Sequence, residues 1–70
     1  MEKFKKLDTV ALLTELPSKS LYKGQVGTIV EKLDEKTFEV EFCNKKGETI
    51  TIAPLKKEEL MLLHFDSVTA

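Results

Sequence analysis

Cys43 and His64 are the one thiol and the one imidazole in the chain, so they are its sole pair able to act as nucleophile and general base. Such a pair needs a third group to orient the base, and Asp66 or Glu41 would have to supply it. Neither a nucleophile elbow nor an oxyanion motif accompanies them. The plainer reading is two unrelated residues on strand surfaces. A structural zinc site wants four ligands, and one Cys with one His falls short. No catalytic, cofactor-binding or metal-ligating residue is therefore assigned.

Glu31, Glu39 and Glu41 would cluster if their two strands paired in register. Paired carboxylates hydrolyse glycosides only across a cleft that holds a sugar, and a chain of 70 residues has no volume to spare for one. A solvated acidic face that guides a basic partner is the expected outcome. Gly24-Gln25-Val26-Gly27 is not a phosphate loop, because no helix follows it and no Lys-Ser/Thr pair is present. Lys45-Lys46, Lys56-Lys57 and the set Lys3, Lys5 and Lys6 would hold a phosphate only if the fold made them converge.

The apolar residues carry more information. Leu60-Met61-Leu62-Leu63-His64-Phe65 is too apolar for one closing strand to bury on both faces. Alternation puts either Leu60, Leu62 and His64 or Met61, Leu63 and Phe65 outside. Val10-Ala11-Leu12-Leu13 has the same excess. With Tyr22 in a long loop, the candidate partner-binding residues are Leu13, Tyr22, Met61, Leu63 and Phe65.

Five short extended segments must position these side chains. The first runs from Leu7 to Leu16, ended by Pro17. Its pattern also suits a helix capped by Asp8, and a strand is favoured because the later segments need a partner. A loop then runs to Lys23-Gly24. Gln25 to Lys32 is β-branched and carries Gly27, which marks a bulge or a close backbone approach. Thr37 to Cys43 alternates cleanly, with Phe38, Val40 and Phe42 inward and Glu39, Glu41 and Cys43 outward. Asn44 to Gly47 makes a tight turn, and Glu48 to Ala53 follows as a strand that Pro54 is expected to stop. One helical or 3-10 turn over Leu55 to Glu59 precedes a last strand, Leu60 to Phe65. This order predicts an all-β fold, a small five-stranded SH3-like barrel. Residues 1–6 read as a flexible lead, 7–65 as the single domain and 66–70 as a tail.

Composition narrows the functions. Eleven basic residues, all Lys, stand against twelve acidic ones for a net charge of −1. Without Arg and without positive charge, nucleic-acid binding is disfavoured. A single Cys forms no internal disulfide and suits a reducing cytoplasm. The basic N-terminus is not followed by the apolar stretch of a signal peptide, and no run is long enough to span a bilayer. A soluble cytoplasmic protein is expected.

Leu7-Asp8-Thr9-Val10-Ala11-Leu12-Leu13, Leu16-Pro17, Lys23 to Glu31 with its core Gly24-Gln25-Val26-Gly27-Thr28-Ile29-Val30-Glu31, and Phe38 to Phe42 together resemble a short uncharacterised bacterial family. It is catalogued as the domain of unknown function DUF4926, and the likeness spans roughly residues 7 to 63. It implies an SH3-like barrel in a bacterial cytoplasmic protein and brings no catalytic residues. It also implies an antitoxin-like or accessory role beside an adjacently encoded protein. Lys23 to Ile29 is similar to the KOW element of ribosomal and transcription-elongation proteins, which implies an RNA- or ribosome-associated module. This chain departs from that pattern in charge and in its lack of Arg. The expected function is thus a non-enzymatic adaptor that binds another protein or a second copy of itself, without cofactor or membrane.

Overall fold

The computed structural model describes residues 3–65. Five antiparallel strands form one sheet: β1 (Thr9–Leu12), β2 (Val26–Lys32), β3 (Thr37–Cys43), β4 (Thr49–Lys56) and β5 (Leu60–Leu62). Their spatial order is β4-β3-β2-β1-β5, so a three-strand meander is extended by β1 and then by the last strand at the border opposite β4. Among the described residues the only helical pieces are two 3-10 turns, Pro17–Lys19 and Lys57–Glu59. The five-stranded all-β expectation holds, including the turn before the last strand. Val10 and Leu12 of β1, Ile29 of β2, Phe38, Val40 and Phe42 of β3, Ala53 and Leu55 of β4 and Leu60 of β5 join one buried cluster. Strands at opposite ends of the sheet therefore share a core, as in a small barrel.

β3 matches the sequence expectation residue for residue, and Phe38, Val40 and Phe42 are its buried side chains. Gly27 sits inward on β2, opposite Val10 and Phe42. A Cβ placed there would come within 2.8 Å of Val40 Cγ1 and 2.9 Å of both the Glu41 carbonyl oxygen and Phe42 Cδ1. The absent side chain lets β3 close over β2. Two residues on, the register shifts between Ile29 and Glu31, where a bulge bends the strand.

β1 is shorter than expected, four residues rather than Leu7 to Leu16. At its start Leu7 has a positive φ of 76°, and Asp8 closes a turn by accepting the Lys5 amide at 2.9 Å. Beyond Leu12 the chain bends away, and Leu16 pairs with Leu21 in an isolated bridge around the first 3-10 turn. That bridge seats Leu21 in the core at 1% exposure. The apolar run thus serves two elements instead of one.

Pro54 does not stop β4. The strand continues to Lys56, with Pro54 opposite Glu39. β4 has β3 on one side alone, and a border strand tolerates a missing N–H. The preceding turn is built by Asn44, whose Oδ1 accepts the amides of Lys46 at 2.9 Å and Glu48 at 3.0 Å, while Gly47 takes φ 83°. The last strand is also shorter than expected, ending at Leu62 with Leu63 to Phe65 beyond it.

Candidate interaction surface

Alternation along β1 aims Val10 and Leu12 at the core and Ala11 away from it. Ala11 is the register partner of both Val26 on β2 and Met61 on β5. These three residues form a row across the outer face of three adjacent strands. Val26 is 50% exposed and Met61 47%, while the short Ala11 between them is buried. One pleat further, Leu13 continues the row's face at 43% exposure, and its amide donates to the Glu59 carbonyl at 2.8 Å. One pleat the other way, Leu63 donates its amide to the Thr9 carbonyl at 2.9 Å and lies half-buried. The result is a continuous apolar strip outside the barrel. Burying a large apolar side chain stabilises by about 1.5–3 kcal/mol, so each half-exposed one retains about 1 kcal/mol to offer a partner.

The sequence-derived set divides. Leu13, Met61 and Leu63 share this outer face. Tyr22, 71% exposed, stands in the loop before β2 and borders a shallow groove of about 240 Å³ with Leu21, Pro17, Ser20 and Glu15. Its amide donates to Gln25 Oε1 at 3.0 Å, which fixes the loop at that point. Phe65 lies two residues past Leu63 and is 86% exposed. Of the two alternations open for the last segment, Leu60 faces the core and Met61 faces out. Alternation also gives a signal for Val26, which sequence reasoning left unassigned: with Gly27 and Ile29 inward, Val26 must point out.

The other candidate groups are placed as follows. Cys43 ends β3, exposed, and His64 follows β5, so β2 and β1 lie between their positions in the sheet. Glu31 and Glu39 are register partners across β2 and β3, and Glu41 accepts the Thr49 hydroxyl at 2.5 Å. Glu39 and Glu41 are half-buried rather than fully solvated. Asp66 lies outside the described residues. Among the described residues no cluster of three or more His, Cys, Asp and Glu side chains is placed to hold a metal ion. No described helix is long and apolar enough to cross a membrane. The lysines do converge in part. Lys3, Lys5, Lys32 and Lys57 line one groove of about 330 Å³, whereas Lys45 and Lys46 sit at the β3–β4 turn.

Residues 6–62 match the family model described as Domain of unknown function (DUF4926). The chain belongs to that family. No curated protein and no solved structure matches it. The match starts one residue before Leu7 and ends at the last residue of β5, so this DUF4926 domain includes all five strands and the whole outer apolar row.

Proposed function

We propose that this DUF4926 domain is a non-enzymatic protein-binding module of the bacterial cytoplasm, docking its partner on the outer face of β2, β1 and β5. The observation that carries the reading is the Val26, Ala11 and Met61 row with Leu13 beside it. Among the described residues this side of the barrel is apolar across three strands, with Val26 and Met61 about half exposed. Among the described residues β5 pairs with β1 alone, which offers its other edge to the same surface. The two grooves of about 330 and 240 Å³ offer further surface for a docking segment. The exposed thiol of Cys43 suits a reducing compartment.

Self-association is the simplest form of this function, because a two-fold axis brings the same strip onto itself. Sedimentation equilibrium over a wide concentration range tests it, together with a photo-crosslinking side chain introduced at position 61. Self-association that Met61→Lys abolishes, or a discrete crosslinked partner that Leu13→Glu removes, supports the reading. A monomer at every concentration with no crosslinked species overturns it.

A further inference from the structure

Four ammonium groups and two aromatic rings meet at the end of the barrel opposite the β3–β4 turn. Lys3, Phe4 and Lys5 come from the N-terminal lead, Lys32 from the end of β2, Phe38 from the start of β3 and Lys57 from the 3-10 turn after β4. Phe4 joins them because its ring packs on Phe38, with centroids 5.6 Å apart and planes at 56°. It is half-buried against the core, so the lead is anchored there. Among the described residues Glu35 is the one carboxylate on the groove, and its contact with Lys32 at 4.0 Å between exposed groups neutralises little. Four positive charges against one negative thus gather on a chain whose net charge is −1.

We propose that this groove is a second docking site, which takes an acidic peptide segment bearing one apolar side chain. The lysines would meet the carboxylates, and the apolar side chain would cover Phe4 on the floor. The volume of about 330 Å³ fits a side chain and its flanking backbone. A peptide suits the site better than a nucleic acid on three counts. The cations are point charges without the planar fork that grips phosphate. Phe38 is 3% exposed, which leaves half-buried Phe4 and no stacking platform for successive bases. The rest of the domain is net acidic, which repels a long polyanion running past the groove more than a short segment confined to it. None of these residues lies on the outer face of β2, β1 and β5, so the two sites stand or fall separately.

The test uses the full chain and a fluorescein-labelled peptide in which one leucine is flanked on each side by two glutamates. Anisotropy should show binding that weakens as salt rises from about 50 to 500 mM. The double variant Lys5→Glu with Lys57→Glu should weaken binding by about tenfold, at a few-fold per exposed charge pair reversed. The double variant Lys45→Glu with Lys46→Glu makes the same change in net charge and should leave affinity within about twofold. Met61→Lys should leave it unchanged, which separates this site from the apolar face. All these side chains are exposed or half-exposed, and circular dichroism checks that each variant folds. No binding, equal binding of the glutamine version of the peptide, equal losses from both lysine pairs, or tighter binding of an oligouridine of matched charge would each overturn the proposal.

Discussion

The outer surface of this sheet changes character at β2. On the β1 and β5 side the outward positions are Thr9, Ala11, Leu13, Met61 and Leu63, with Val26 adjoining them. On the β3 side they are Thr37, Glu39, Glu41 and Cys43, with Thr28 and Glu31 adjoining. Both halves obey the same two-residue alternation and share one core, so folding alone does not require the difference. A barrel needs one apolar face per strand, and β3 meets that minimum with Phe38, Val40 and Phe42. β1 and β5 exceed it. The excess leaves Val26, Leu13 and Met61 about half exposed, which is why the proposed docking face lies on the β1–β5 side. β4 at the far border carries half-exposed Ile50 and Ile52, but Ile52 is paired with Glu41 and Ile50 falls at the register shift between Phe42 and Cys43, so no apolar row crosses the strands there.

The largest effect should come from inside, where the halves are joined. Phe42→Ala removes a fully buried ring and should cost about 3–5 kcal/mol in urea unfolding. Loss of protection in hydrogen exchange should then appear together in β1 and β3. Protection retained in one half alone would show two independent units. Gly27→Ala puts a methyl into the seam between the halves and should cost about 1–3 kcal/mol by the same measurement. On the outer surface the halves should separate. Met61→Lys should change stability by less than about 0.5 kcal/mol while abolishing association. Glu41→Gln on the β3 side should leave association intact, and its retained acceptor should keep the Thr49 contact, with a stability change under about 1 kcal/mol.

The smallest expected effect is at Asp34 in the β2–β3 turn. The Lys36 amide, donating to Oδ1 at 2.8 Å, holds this carboxyl below its ordinary value of 3.8, and the Thr37 side chain helps. A carboxyl depressed in the folded state stabilises at pH above the unfolded value and loses that contribution as pH falls through the folded one. The difference between wild type and Asp34→Asn should therefore be present at neutral pH, begin to decline as pH approaches 3.8 and vanish only once pH is below the folded value. A carboxyl titration by NMR that gives an ordinary value would remove the effect.

Much of the architecture was legible because its causes are local. β3 announces itself by alternation, and Asn44 to Gly47 by turn chemistry. The errors arose where neighbours in space decide. Leu13 to Leu16 reads as more strand, but Leu21 draws the chain aside through the bridge to Leu16. Pro54 reads as a stop, but only sheet order shows that β4 lies at a border. Of the candidate surface, the excess of apolar residues was visible and their exact row was not, since Val26 and Met61 meet Ala11 through register. The lysine groove was still less visible. Its members span residues 3 to 57 and are gathered by the stacking of Phe4 on Phe38.

Pro54 has a consequence for how copies of this chain can accumulate. A sheet with two receptive borders can recruit one molecule after another without end. Here one border is interrupted by a pyrrolidine ring, and the other is a strand of three residues. Backbone pairing between copies would therefore end after a single symmetric encounter at β5, which is the closed form that the proposed self-association requires.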